Sequence, residues 1–334
     1  MKSERELDDA QSAPRDATAA ALARAPGDII VLGAGGKMGP TLARMAKRAA
    51  PAARVVAVSR FSSAAAEQSL RDADVETIRC DLLDRDAVAL LPDAPNVVYM
   101  AGQKFGTTDA PSRTWMLNVA APAICAERYA DARIVAFSTG NVYPLVPVAT
   151  GGARETGAIG PVGEYAASCV GRERVFEHYS AAHGTRVAIV RLNYAIDLRY
   201  GVLTDLAVKI MSGTPVPLAM GYVNVIWQRD ANRAALELLP LAASPPLVVN
   251  VTGTGVERVR DVAHELGRRL GREPVFEGRE APDALLSDTS RMRSLIGAPD
   301  MSLDAMLGLV ADWVREGRPL LGKATHFDTR DGAF

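Results

Sequence analysis

Short apolar runs alternate with longer amphipathic stretches along this chain. Ile29-Ile30-Val31-Leu32 is an unbroken run rich in β-branched residues, the pattern of a strand buried on both faces. Comparable runs recur at Arg54–Ser59, Glu76–Cys80, Asn96–Ala101, Arg133–Ser138 and Arg186–Leu192. Between them lie stretches of helical spacing. Met38, Leu42, Met45 and Ala46 share one face, and longer helices are predicted through Trp115–Ala130 and over about Glu164–His183. Strands alternating with helices imply right-handed crossovers and an α/β, doubly wound parallel sheet. After Leu192 the rhythm loosens. Short strands are predicted near Val223–Ile226 and Leu247–Val251, and helices at Asp230–Leu239, Val256–Leu270, Thr289–Ile296 and Ser302–Glu316. Some of these return to the sheet, and the rest form a smaller C-terminal lobe over the carboxyl ends of the strands.

The expected organisation follows. Residues 1–27 are a tail and a short helix, with 1–15 flexible and Ala17–Arg24 helical, ended by Pro26-Gly27. Residues 28–192 form a dinucleotide-binding domain, 193–318 complete the sheet and build a substrate lobe, and 319–334 are a polar tail. That tail either wraps the surface or reaches a neighbouring subunit.

The first apolar run leads into Gly33, Gly36 and Gly39 at three-residue spacing, with Gly35 as an extra. Strand, glycine turn and helix in that order are the context of a dinucleotide fingerprint. Glycines let the backbone approach a pyrophosphate, and free N–H groups at the helix start receive its charge. The alternative is an ordinary glycine-rich turn. An acidic residue at the end of the second strand would favour the ribose of NAD. Ser59 and Arg60 stand there instead, and Arg60 can fork onto a 2′-phosphate. Lys37 and Met38 sit in the glycine loop, and Lys37 is placed to add a second positive charge nearby. NADP is therefore the expected cofactor, with NAD as the alternative. Asp81, followed by Leu82, is placed either to meet the adenine or to cap the next helix.

Composition adds limits. The 334 residues carry a formal net charge of −1, so no global field points to nucleic acid or an anionic membrane. Three widely spaced cysteines suit neither a disulfide framework nor a zinc site, and the chain is expected in a reducing, cytoplasmic compartment. No apolar run has the length of a membrane span, and no secretory signal is visible. No HExxH and no cluster of histidines appears, so no metal is expected.

These residues together resemble the extended short-chain dehydrogenase/reductase family, which contains NAD-dependent epimerases and dehydratases of sugars and sugar nucleotides. The matching pieces are Gly33-x-x-Gly36-x-x-Gly39, Asp81-Leu82, Met100-Ala101-Gly102, Ser138-Thr139-Gly140-Asn141-Val142-Tyr143, Tyr165 and Ala311-Asp312-Trp313-Val314. The resemblance implies a catalytic Ser or Thr, a Tyr, and a Lys four residues after the Tyr. Thr139 and Tyr165 match, but the Lys position holds Cys169, which in the simpler reading is a small buried hydrophobe. Lys104 in AGQKFG and Arg172, seven residues after Tyr165, are the candidate replacements, each otherwise a solvent-facing charge. Asn193 falls two residues after Arg191, one earlier than in the family, and Ile196-Asp197 replaces a usual Gly-Pro. Asp230 reads as a cap or an ion-pair partner. The resemblance further implies a homodimer paired through the helices at Trp115–Ala130 and Glu164–His183. The expected function is an NADP-dependent oxidoreductase acting on a sugar-like or other small hydroxyl or carbonyl compound. Two alternatives are a sugar or nucleotide-sugar epimerase or dehydratase with tightly held cofactor, and an NADP-binding sensor or scaffold with reduced catalysis.

Overall fold

The computed structural model describes residues 1–323 and 325–333; Ala324 and Phe334 of the expected tail lie outside them. Seven strands form one parallel sheet: β1 (Ile29–Leu32), β2 (Val55–Ser59), β3 (Glu76–Arg79), β4 (Asn96–Tyr99), β5 (Arg133–Thr139), β6 (Arg186–Leu192) and β7 (Leu247–Val251). Their order is β7-β6-β5-β4-β1-β2-β3. The order reverses between β1 and β4, and a crevice opens there at the carboxyl ends of the strands. The apolar runs are buried as their composition requires, with all four residues of β1 and of β4 inside. The doubly wound α/β fold is therefore as expected.

The helices on the two faces are largely those the spacing predicts. Gly39–Ala49 follows the glycine turn, and Gly163–His183 is the long helix that carries Tyr165. The predicted helix through Trp115–Ala130 is instead broken. An α-helical turn at Pro111–Trp115 opens into a π-turn at Met116–Ala120 before Ala121–Arg128. Ala121 N–H bonds Met116 O, five residues back. Pro122 supplies no N–H of its own, and a widened turn is one way to accommodate that loss. The single strand expected at Val223–Ile226 is two short ones, Tyr222–Val223 and Ile226–Trp227, paired with different partners.

Residues 1–15 are not a flexible tail. Glu4–Gln11 is a helix, N-capped by the Ser3 side chain. Leu7 is fully buried in a second apolar core with Val202, Trp227, Leu266 and Trp313. Asp9 accepts from Arg44 and Arg48 of the helix after the glycine turn, at 2.7 and 2.6 Å. One buried leucine plus these charges holds the segment, and burying such a side chain is worth about 1.5–3 kcal/mol. The helix Val202–Ser212, which the spacing did not single out, belongs to the same core.

The long helix is fixed to the sheet by charge. Glu173 and Arg191 are 2% and 5% exposed and meet at 2.6 Å. Ser138 at the end of β5 donates to Glu173 at 2.5 Å, and Arg191 donates to the Tyr143 hydroxyl at 2.7 Å. That hydroxyl in turn donates to Asn250 on β7 at 2.8 Å. Removing one member leaves the other charge buried and uncompensated. Glu173→Ala is expected to lower the unfolding free energy by about 3–5 kcal/mol in denaturant titrations, whereas the double variant Glu173→Leu/Arg191→Leu should lose less than the single one.

Candidate active site

The glycine turn shows which of its residues the fold itself needs. Gly33 has φ +92°, and a Cβ there would lie 2.5 Å from Ala101 N. At Gly39 it would lie 2.3 Å from Ala34 O. Both glycines are fixed by packing of the turn against its neighbours. Gly36 differs: a Cβ there would meet only Gly33 O, at an ordinary 3.6 Å. The protein's own packing does not demand glycine at 36, so the space over it is open to a ligand.

Two cavities meet along this turn. One, of about 340 Å³, is walled by Gly33, Gly36, Ser59, Arg60, Asp81, Leu82 and Ala101. Arg60 is 60% exposed and stands 4.0 Å from Asp81. Asp81 accepts from the N–H of Leu83, while the cap of the following helix is Asp84. Of the two roles considered for Asp81, the helix cap is therefore not the one it plays.

The other cavity, of about 430 Å³, lies over the ends of β5 and β6. It gathers Thr139, Tyr165, Lys104 and Lys37, and Gly102 and Met38 also line it. Thr139 ends β5, and Tyr165 stands in the first turn of the long helix. The two side chains line the same cavity, and Cys169 lies one helical turn after Tyr165. Lys37 does not join Arg60 as its position in the loop suggested. Its ammonium sits 3.7 Å over the Tyr200 ring, in the cavity of Tyr165.

Charge around Tyr165 comes from an unexpected side. Cys169 is fully buried and cannot supply it. Arg172, one of the two candidate replacements, is not solvent-facing. It is 6% exposed and donates to Phe137 O at 2.9 Å and to Asn118 Oδ1 at 2.8 Å. A Cβ on Gly102 would lie 2.3 Å from its guanidinium. Burial pushes the Tyr165 phenol well above the usual tyrosine range; the Cys169 thiol adds to this, and Arg172 and the Thr139 hydrogen bond oppose it. Burial also lowers Lys37 to about 7, with Lys104 lowering it further and Asp197 and Asp205 opposing. Lys104 is lowered to about 8, again chiefly by burial.

Asn118 was not singled out in the sequence. It lies inside the π-turn, is fully buried, and holds both backbone groups of Gln103 as well as Arg172 and Ser168. A lone asparagine in the apolar stretch MLNVAA was the available signal. Asn193 lines the cavity and donates to Leu285 O at 3.2 Å, and Asp197 is buried against Arg199 at 2.9 Å. Asp230 is a buried partner of Arg233 at 3.0 Å, remote from this cavity. The C-terminal strap forms the roof, with Leu321, Lys323 and Thr325 in the wall. Thr325 donates to Asp205 from both its N–H and its hydroxyl, at 2.8 and 2.5 Å. Lys104 donates to Thr325 O at 3.4 Å. Among the described residues, no helix is long and apolar enough to cross a membrane.

The lowered lysine has a thermodynamic consequence. Lys37 binds its proton more weakly in the folded chain than in the unfolded one, so its charge destabilises the fold below pH 7. That penalty falls as pH rises from about 7 toward 10.5. Lys37→Met should raise the melting temperature most at pH 6, with the gain shrinking toward pH 10. Each tenfold weakening of proton binding corresponds to about 1.4 kcal/mol. Melting curves across that range check it.

The comparisons agree with this geometry. The family described as "NAD dependent epimerase/dehydratase family" matches residues 29–198. No curated protein sequence matches the chain. Among solved structures, UDP-glucose 4-epimerase from Thermotoga maritima superposes with a TM-score of 0.71 at 19% identity, covering 87% of this chain and 99% of that one. The UDP-Glc/GlcNAc 4-epimerase from Campylobacter jejuni gives 0.71 at 21%, covering 87% and 100%. UDP-glucuronic acid 4-epimerase from Bacillus cereus, in complex with NAD, gives 0.72 at 20%, covering 86% and 99%. At these identities the likeness is one of fold. With its glycine turn, its parallel sheet and half its length inside the family match, the chain belongs to the NAD dependent epimerase/dehydratase family, whose members are enzymes that work with a nicotinamide dinucleotide.

Proposed function

We propose that the protein is an oxidoreductase of the extended short-chain type that uses NADP in preference to NAD and acts on a small sugar-derived hydroxyl or carbonyl compound. The observation that carries this reading is that Thr139 and Tyr165 line one cavity together with Lys37 and Met38 of the glycine turn. Gly33, Gly36 and Gly39 would receive the pyrophosphate, and Asp81, Leu82, Ala101 and Gly102 would flank the adenosine half and its continuation. Ser59 and Arg60 would hold a 2′-phosphate. Bound there, the dinucleotide supplies hydride chemistry.

The chain's own residues supply the proton. Thr139 and Tyr165 hold the reacting oxygen of the substrate between their hydroxyls. With a thiol in place of the lysine, Tyr165 stays a neutral phenol, a poor base and a competent donor. It therefore gives its proton to the oxygen as negative charge develops there, and the direction of reduction is favoured at neutral pH. Arg172 limits the rise of the Tyr165 pKa from behind, and Lys104 stands on the cavity side. An epimerase or dehydratase with tightly held cofactor is the second reading, favoured by the strap that roofs the cavity and by the named activities of the solved relatives. The proposal includes a homodimer through the π-turn helix and the long helix, because Trp115 and Met116 are 41% and 50% exposed on that face.

Two measurements follow. By calorimetry, NADP(H) should bind more tightly than NAD(H) by about 1.5–3 kcal/mol, and Arg60→Ala should narrow the gap. Gly36→Val should abolish binding in a protein that melts normally, since the fold leaves room for a side chain there. Equal affinity for both cofactors would refute the NADP assignment. Once a substrate is found, Tyr165→Phe should lose most of the turnover, and Cys169→Lys should move the oxidative pH profile to lower pH. Full activity in Tyr165→Phe would give the proton to another group.

A further inference from the structure

Among the described residues, every charged side chain in the wall of the Tyr165 cavity is a lysine. Lys37 comes from the glycine turn, Lys104 from the segment after β4, and Lys323 from the C-terminal strap; no described aspartate or glutamate lines the cavity. The nearest carboxylates are turned to other partners. Asp197 is paired with Arg199 at 2.9 Å, and Asp205 accepts from Thr325. A lysine ammonium is a donor only, and the other polar groups of the wall, among them Asn141 and Asn193, are neutral, so the charge on offer to a ligand is positive. Here three lysines from three separate segments line one small, partly enclosed space, where the field of those that are protonated is concentrated.

We infer that the substrate carries an anionic group, a carboxylate or a phosphate, held by Lys37 and Lys104 while its reacting oxygen faces Thr139 and Tyr165. This rests on the reading above that the Tyr165 end is the reacting end. The cavity of about 430 Å³, roofed by the strap, suits a sugar acid or a sugar phosphate. The phosphates of the dinucleotide are the other source of negative charge. Arg60 faces the neighbouring cavity, so the 2′-phosphate assigned to it and the anion assigned to Lys37 and Lys104 occupy separate places.

The test uses the full chain saturated with NADP⁺ and titrated calorimetrically with three sugars that differ at one carbon: D-glucose, D-glucuronate and D-glucose 6-phosphate. At least one of the anions should bind about tenfold or more tightly than glucose, and the stronger of the two identifies the anionic group. In Lys37→Met/Lys104→Met that preference should vanish, with NADP⁺ affinity held to within about threefold; Lys104→Gln provides a second variant if the double one melts early. The inference is overturned if glucose binds as tightly as both anions, or if the preference survives in the variants. A collapse of NADP⁺ affinity in the variants also overturns it, because the lysines then serve the cofactor. Failure of NADP⁺ to bind the unmodified protein refutes the underlying reading instead.

Discussion

Glu173 and Arg191 are almost wholly buried, and they meet at 2.6 Å in the interior. The pair joins the middle of the long helix to β6, and through Ser138 to the end of β5. The residue after Ser138 is Thr139, and two turns before Glu173 on the helix is Tyr165. The placing of Thr139 and Tyr165 in one cavity wall therefore depends on a charge pair that lies outside that wall. Paired charges with several satisfied partners fix one register.

The same helix carries the departure that most distinguishes this site. Cys169, one turn after Tyr165, is a buried thiol, and Arg172 places a cation a turn further on, close to Gly102 and held by Asn118. An arginine cannot lose its proton, so the charge beneath the site is permanent. Facing the cavity, Lys37 and Lys104 instead have lowered pKa values and can change charge near neutral pH. Fixed charge behind the tyrosine and adjustable charge in front of it divide the electrostatics of the site in two.

Much of this was legible in the chain. The β-branched runs marked the inner strands of the main sheet, because a strand buried on both faces leaves a continuous apolar signal, while the edge strand Glu76–Arg79 is half exposed and carries a weaker one. The glycine turn was visible for the same reason: backbone geometry restricts residue type. What escaped reading depends on contacts between distant segments. Leu7 is one leucine among charges, and only the second core reveals what it does. Pro122 sits in a helical pattern, yet its consequence is a π-turn that aims Asn118 inward. Arg172 reads as a surface charge until the neutral acceptors around it are seen. Lys37 was assigned to the right loop but not to the right side, since sequence spacing does not tell which cavity a turn residue enters. The strap is polar and unremarkable in sequence, and its role as a roof comes from Thr325, Phe327 and Arg330 each finding a partner on the body.

The central claim is that one crevice holds both ends of a dinucleotide, with Arg60 at one end and the Thr139–Tyr165 pair at the other. A crystal structure of the protein grown with NADP⁺ tests it most directly. The account predicts the 2′-phosphate beside Arg60 and Ser59, the pyrophosphate over Gly36, and the nicotinamide in the cavity of Tyr165 and Lys37. A dinucleotide bound elsewhere, or bound with its nicotinamide away from Tyr165, would contradict it.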